Sequence, residues 1–519
     1  MALSKITRRQ VFAVAIAIPV AAAAKSVTDQ STVGKLLYPR TGAEIAAGIT
    51  PLDSSFPELN VLRYGASATN TGAQNAAAIQ AGISVLAQHT EAELLIPEGV
   101  NLNVTQLAFT SMSQFNVRCD GTLVSTVAAP GGAFTNQTPS QGTSAVMRFS
   151  SCSRFKVYGK GHINPDNVDA LNVTRCSNFD WNLDMRGTGA NTFMRGALFR
   201  ECNQFRIHGC TIESLTGQNF QTCLTATTSI GAGATSAMAK TWTLGAGVFT
   251  IAFSDAEVRQ VTFGSGTSNV RMSWKGGLSN NVTSALFVEI YYNWLDSLAF
   301  FSCFNFKVDH NIVRKSGANG IYVLSVAAGG EFELAHDFDI CDNICELNAE
   351  SGIQVTYSGG TSCPIFYRVN NNTVRYNQAD GIDAANTGSF ANVYAQFNNN
   401  THINNGWIGC DPSNPGGVDG SGIGTFSNIG EFEAVGNTVF NCNNAGIFVS
   451  GCTSWRIANN TINKGFNAGS SQGGCFISTS HSGSLTGNDI TTRKGVPPLT
   501  VQSCTNVVMC ANNFTSGAL

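Results

Sequence analysis

The sequence predicts an all-β chain wound as a right-handed parallel β-helix (solenoid), with an N-terminal capping helix and an inserted small antiparallel β module. Three observations predict it. A cysteine-led strand recurs, an asparagine turn recurs ahead of a β-branched strand, and a glycine turn recurs ahead of another strand. The period is about 25 residues, which is the scale of a solenoid coil.

The first element reads Cys152-x-x-Phe155-x-Val157, then Cys176-x-x-Phe179-x-Trp181 and Cys202-x-x-Phe205-x-Ile207. It returns as Cys303-x-x-Phe306-x-Val308 and Cys452-x-x-Trp455-x-Ile457, with a weaker copy at Cys504. Apolar residues at alternate positions mean a strand with one buried face. The second element is a pair such as His310-Asn311, Asp342-Asn343, Asn371-Asn372, Asn399-Asn400, Gly436-Asn437 or Asn459-Asn460. Asparagine tolerates the left-handed backbone of a tight corner, and stacked asparagines can pair their amides in a ladder. The third is Gly320-Ile321, Gly352-Ile353, Gly381-Ile382 and Gly446-Ile447. Three short strands per period describe one coil. Propeller blades need about 40–50 residues, and leucine-rich repeats need leucines that are missing here.

Composition agrees. Only 12% of residues are charged, 43% are hydrophobic and 54 are glycine, a turn-rich but core-forming profile. The net charge of −3, with scattered Lys and Arg, excludes a nucleic-acid binder. The 16 cysteines contain no C-x-x-C pair, so they read as buried thiols rather than zinc or redox motifs.

Residues 1–24 carry Arg8-Arg9 and an apolar stretch ending in Ala21 to Ala24, which resembles a twin-arginine export signal, or else an N-terminal docking helix. Export to the periplasm or beyond is expected, with a place in a phage virion tail as the alternative. Residues 25–100 form a linker and N-terminal cap. Gln74 to Gln88 reads as a short helix and Leu94 to Ile96 as a buried strand. The β-helix then occupies 101–223 and 288–519. From 224 to 287 the coil signature stops, and apolar runs such as Phe249 to Phe253 and Val258 to Phe263 predict the antiparallel insert.

Tyr38-Pro39-Arg40-Thr41, Ala43-Glu44-Ile45, Arg63-Tyr64-Gly65-Ala66, Ile96-Pro97-Glu98-Gly99 and the asparagine turns together resemble the pectate-lyase-like β-helix superfamily, in its branch of exported bacterial carbohydrate-active proteins and phage tailspikes. The resemblance covers roughly 37–220 and 290–519. Ala379-Asp380-Gly381-Ile382-Asp383 is similar to the Asn-Thr-Asp-Gly-Ile-Asp motif of polygalacturonases, which implies a catalytic Asp380. The chain departs from that pattern on the next coils, with Asn404-Asn405-Gly406-Trp407 and Gly420-Ser421-Gly422 where an aspartate pair and Gly-His-Gly are expected.

Asp380, Asp383 and Asp411 are therefore the candidate catalytic carboxylates, with Glu350 as a substitute partner and Asp419 nearby in a Gly-rich loop. Coils about 4.8 Å apart can present carboxylates at either glycosidase spacing. Tyr322, Tyr357 and Trp407 are candidate sugar-stacking rings, Gln354 a polar contact, and Arg375 a contact for an acidic sugar. Asp380 and Asp411 also suit ordinary turns, Asp383 a solvated surface, and the rings inward packing. The absence of a tight basic cluster or a calcium-type aspartate set favours hydrolysis over lyase chemistry. The expected function is a depolymerase of cell-surface or extracellular polysaccharide. The alternatives are a tailspike or a non-catalytic adhesin. No cofactor or metal is expected, and no membrane contact in the mature form. A homotrimer, and phage tail proteins for a tailspike, are the partners besides polysaccharide.

Overall fold

The computed structural model describes residues 37–127, 145–165, 168–187, 195–213 and 296–517, apart from 317, 327–334, 349, 359–363, 378, 388–389, 407–419, 427–428, 443 and 465–472, together with the backbone of seven strands between 219 and 291. The Arg8-Arg9 segment lies outside the described residues. Among the described residues no helix is long and apolar enough to cross a membrane.

The cap is organised by one buried ion pair. Thr41 and Glu44 close a capping box on the helix Gly42–Ala46. Glu44 then accepts from Arg63 Nη2 at 2.9 Å, with neither side chain exposed. Arg63 Nε also donates to Glu44, and the remaining Nη1 and Nη2 N–H groups donate to the carbonyls of Tyr38, Phe56 and Pro39 at 2.9–3.1 Å. Burial pushes the Glu44 carboxyl up, but the Arg63 hydrogen bonds and charge outweigh it and hold it below its usual range. The separate Tyr-Pro-Arg-Thr, Ala-Glu-Ile and Arg-Tyr-Gly segments are thereby one structural unit. The predicted helix runs Gly72–Leu86, starting at a Thr71–Gln74 capping box. It buries Ile79, Ile83, Val85 and Leu86 and packs on the first strands, Ala92–Ile96 and Asn101–Val104.

The rest winds into three ladders of parallel strands, a right-handed parallel β-helix. Face one carries strands such as Asn203–His208, Phe304–Asp309 and Ile365–Asn370. Face two carries short strands such as Ile312–Arg314 and Thr373–Arg375. The long strands Ser153–Asn164 and Ser177–Arg186 run through both faces and join them in one 24-stranded sheet. Face three is a separate 12-stranded sheet, including Leu298–Phe301, Ile321–Val326, Ile353–Ser358 and Ile382–Thr387.

Like residues stack inside. Phe155, Phe179, Phe205, Phe306 and Phe338 form a column with ring centroids 4.7–5.1 Å apart and planes within 9° of parallel, matching the strand spacing. Cys152, Cys176, Cys202 and Cys303 are buried alongside, and the described cysteines are free thiols.

Each asparagine pair divides its labour. The first residue takes the left-handed backbone, as at His310, Asp342, Asn371 and Asn399 with φ of 57–59°. The second forms the ladder, buried from Asn311 to Asn488 and half-buried at Asn512: Asn311, Asn343, Asn372, Asn400, Asn437, Asn460, Asn488 and Asn512 join Nδ2 to Oδ1 at 2.9–3.2 Å. A second ladder, Asn348–Asn377–Asn405, lines the next corner at 2.9–3.0 Å. The glycine element has a different cause. Gly381 needs no positive φ, but a Cβ there would come within 2.5 Å of Gly422 O and 2.3 Å of His402 Nδ1. The corner is too tight for any side chain.

The coil is interrupted as expected. Asn219–Gln221, Phe287–Tyr291, Gly266–Lys275 and Lys240–Leu244 pair in a four-stranded antiparallel sheet, and Cys223–Ala226, Gly247–Phe253 and Val258–Phe263 in a three-stranded one. In the final coil Val501, Met509 and Phe514 are 37–56% exposed, although their register partners Ile477, Leu485 and Ile490 are fully buried.

Candidate functional site

Face three begins each strand with a corner residue two positions ahead. Successive coils stack Asp169, Arg195, Asp296, Asn319, Ser351, Asp380 and Ser421 in that column. Its acceptors share one task. Asp169 Oδ1 takes the Arg195 N–H at 3.0 Å, Asp296 Oδ1 that of Asn319 at 3.1 Å, and Asn319 Oδ1 that of Ser351 at 3.0 Å. Asp380 Oδ1 does the same for Gly420 and Ser421, at 3.1 and 2.6 Å. Each carboxylate or amide thus caps the backbone of the next coil, a use that burial of a polar group demands. For Asp380, 3% exposed, this is the turn role, one coil further along than its own glycine.

The outward column on the same face holds Tyr322, Gln354 and Asp383 on consecutive coils, in the predicted register. It meets the corner column through a string of hydrogen bonds. Asn319 Nδ2 donates to Asp296 Oδ1 at 3.0 Å and to Gln354 Oε1 at 2.8 Å. Gln354 Nε2 donates to Asp383 Oδ2 at 2.7 Å. Two carboxyls are therefore bridged by two amides across four coils. Both ends are buried, Asp296 at 8% and Asp383 at 7% exposure, so Asp383 is not the solvated surface group its position allows.

Asp296 carries a raised carboxyl. Burial pushes its carboxyl up, the nearby Arg195 charge pulls it down, and the Glu350 charge raises it again, leaving it at about 6. Burial likewise pushes up the Tyr322 hydroxyl, with Asp296, Glu350 and Asp383 adding to the effect. Arg195 lies 4.0 Å from Asp169 and 5.9 Å from the centre of the Phe301 ring, which Tyr322 meets edge-on at 6.2 Å.

Two candidate residues sit away from the Gln354–Asp383 column. Tyr357 falls on the inward phase of its strand. It is fully buried and its hydroxyl donates to Ala335 O at 2.7 Å, so it offers no ring to a sugar. Arg375 is on face two, where Glu346 of the preceding coil accepts its Nε–H at 2.7 Å. That ion pair removes it from the Asp383 neighbourhood. Trp407 and Asp411, with Asp419, lie outside the described residues. Sequence reasoning passed over Asp296 because Ser297 replaces the corner glycine and the insert precedes it. Cys303 held the missing signal: Ala197–Arg200 ends two residues before Cys202, as Leu298–Phe301 does before Cys303. Counting back from Cys303 assigns Asp296 its corner.

No protein-family model and no curated protein matches this chain. Solved structures do. The chain is similar to the A-module of the mannuronan C-5 epimerase AlgE4 of Azotobacter vinelandii, at 10% identity and a TM-score of 0.44, over 88% of this chain and 98% of that one. It is similar to a family 28 exopolygalacturonase of Yersinia enterocolitica, at 12% identity and a TM-score of 0.45, over 88% and 77%. It is similar to the tailspike of the E. coli bacteriophage HK620, solved with a pentasaccharide, at 10% identity and a TM-score of 0.40, over 87% and 78%. The likeness is one of fold.

Two open cavities lie on face one, away from the acid corner. One, of about 670 Å³, is lined by residues from Asp337 to Arg456, and the other, of about 720 Å³, by residues from Asn116 to Asp339. They share Asp337 and Asp339 and so adjoin along the outer groove of face one.

Proposed function

We propose that the protein is a polysaccharide depolymerase that hydrolyses glycosidic bonds, with Asp296 and Asp383 as its working carboxyls. The raised Asp296, at about 6, carries this proposal. A carboxyl that keeps its proton near neutral pH can deliver it to a glycosidic oxygen. The water oxygen then bonds to the anomeric carbon as the old bond breaks, and Asp383 takes the water's proton.

The hydrogen-bond string limits the gap between the two carboxyls. Its bonds of 3.0, 2.8 and 2.7 Å, with the width of the Gln354 amide, allow at most about 11 Å. The string climbs three coil steps, about 14 Å between backbones, so it stands near its full length, which speaks against the roughly 5 Å of a retaining pair and for a spacing at or above the roughly 6.5–9.5 Å of an inverting one. Asp411 remains a further candidate, and Asp380 acts as a positioning residue through its cap on the next coil. The resemblance of Arg8-Arg9 and the apolar stretch behind it to an export signal supports a site of action outside the cytoplasm. A second function, glycan binding without turnover as in an adhesin or tailspike, is favoured by the burial of both carboxyls.

The test is depolymerisation of a panel of neutral and acidic bacterial polysaccharides and pectins, following reducing ends and unsaturated-uronate absorbance together. Reducing ends that vanish in Asp383→Asn and in Asp296→Asn support hydrolysis at this corner. Absorbance from unsaturated uronate makes the protein a lyase. Binding with no cleavage in any sample selects the adhesin.

A further inference from the structure

We infer that the outer groove of face one is a second glycan-binding surface, built for an uncharged polysaccharide and centred on Phe366 and Tyr394. Whether the acid corner turns over has no bearing on it.

The two rings lie on neighbouring coils in direct register, 4.6 Å between centroids and 9° from parallel. Phe366 is 50% exposed, an unusual position for a large apolar ring on a strand whose neighbours Ile365 and Tyr367 are buried. The inward and outward phases are therefore both aromatic or apolar here, and only the inward one is accounted for by the core. Stacked face to face, the pair turns its ring edges and the exposed part of Phe366 to the groove, apolar surface that the C–H faces of a pyranose can cover.

The margins of the platform supply what sugar hydroxyls need. Arg368 is held by Asp339 through two bonds, one of them Nη2 to Oδ2 at 2.8 Å, and Arg456 by Glu433 at 2.9 Å. These pairs fix planar donors and acceptors beside the rings, with Gln396 between them in the same column. Around the platform four carboxylates (Asp337, Asp339, Glu431 and Glu433) face two guanidiniums, a balance of −2. A uronate or sulfated chain would be repelled. A neutral chain would not, so charge selects the ligand class.

The groove is also long enough for a polymer. The lining residues at the aromatic pair come from five successive strands, from His336–Cys341 to Ser454–Ala458, which at the parallel-strand spacing span about 19 Å, room for several sugar rings. The upstream cavity has the opposite balance, with Arg154, Lys156, Arg206 and Lys307 against Asp180, Asp337 and Asp339. The inference is therefore confined to the segment at the aromatic pair.

Binding of the full chain to dextran, laminarin, galactomannan and polygalacturonate, by affinity electrophoresis and calorimetry, tests it. At least one neutral polymer should bind more tightly than polygalacturonate. Phe366→Ala with Tyr394→Ala should weaken that binding at least tenfold while the melting temperature stays within a few degrees. Phe440→Ala, an exposed ring on face two, should leave it unchanged. Glu431→Gln with Glu433→Gln should raise the relative binding of polygalacturonate. Neutral binding that survives loss of both rings, preference for polygalacturonate, or no binding of any neutral polymer would overturn the inference. So would self-association, seen by light scattering, that is lost with the two rings.

Discussion

Gln354 donates to Asp383 Oδ2 across one coil step at 2.7 Å, and the same amide accepts from Asn319. The Asp383 side chain is thus oriented by a neighbour that is itself oriented, the arrangement a working carboxyl requires.

Replacing either end of that string should separate its two roles. Asp383→Asn should lower kcat at least a hundredfold across all pH. Asp296→Asn should lower it comparably and also remove the alkaline limb. In the native protein that limb should fall above about pH 6, where Asp296 loses its proton. A pH–rate profile distinguishes the two variants.

Breaking the string in the middle should act on geometry. Gln354→Leu removes the donor to Asp383 and the acceptor for Asn319 in one change. It should cost about 1–3 kcal/mol of stability, because buried polar groups lose their partners. It should also lower kcat more than it raises KM. Denaturant titration and steady-state kinetics measure both effects.

The cap offers a sharper stability test. Glu44→Gln leaves the fully buried Arg63 guanidinium without its carboxylate. A loss of about 3–5 kcal/mol is expected, since breaking one side of a buried pair strands the other charge. Urea unfolding should show an earlier midpoint for the N-terminal coils.

Acid stability should depend on His402. This side chain lies inward between Val374 and Val439, with no exposure and, among the described residues, no hydrogen bond to either ring nitrogen, and burial lowers its pKa from 6.5 to about 3. The folded form therefore keeps His402 neutral. Between pH 6.5 and about 3 the unfolded chain binds a proton that the folded chain does not. Stability contributed by this site is complete above pH 6.5 and falls by about 1.4 kcal/mol per pH unit through that window. His402→Val should flatten the dependence and leave the protein more stable at pH 4.5 than the parent. Melting temperatures across pH 4–8 check it.

The interior ladder is open to the same kind of measurement. Asn372→Ala deletes one rung, which receives from Asn343 and gives to Asn400. A loss of about 2–3 kcal/mol is expected from the polar groups left buried. Asn512→Ala, in the last and more exposed coil, should cost less.

The fold was legible because its constraints are local. A left-handed corner, a buried amide and a glycine that leaves no room for Cβ each mark the sequence at one position, and the same mark returns coil after coil. The site was legible only in part. Gln354 and Asp383 were placed by the strand alternation that starts at Ile353 and Ile382. Tyr357 lies four residues along the same strand, where the alternation turns inward, and its ring serves the core. Arg375 lies on face two, since closeness in sequence says nothing about which of three faces a residue occupies. Asp296 was missed because its chemistry comes from burial and from Arg195 and Glu350, contributed by other coils, and not from a motif of its own. Asp380 carried the motif, yet its oxygen is occupied by the backbone of the following coil.

The asparagine ladder also gives the molecule a polarity. Each rung accepts the backbone N–H of the rung before it, so Asn343 Oδ1 secures the amide of Asn311, and Asn512 Oδ1 that of Asn488. Every coil is locked by its successor, and coils touch only their neighbours. Amide protons along the corner should therefore exchange with solvent in a graded sequence, fastest near Asn512 and slowest in the middle. Unwinding would travel from the coil with the exposed Met509 and Phe514 towards the cap, one coil at a time.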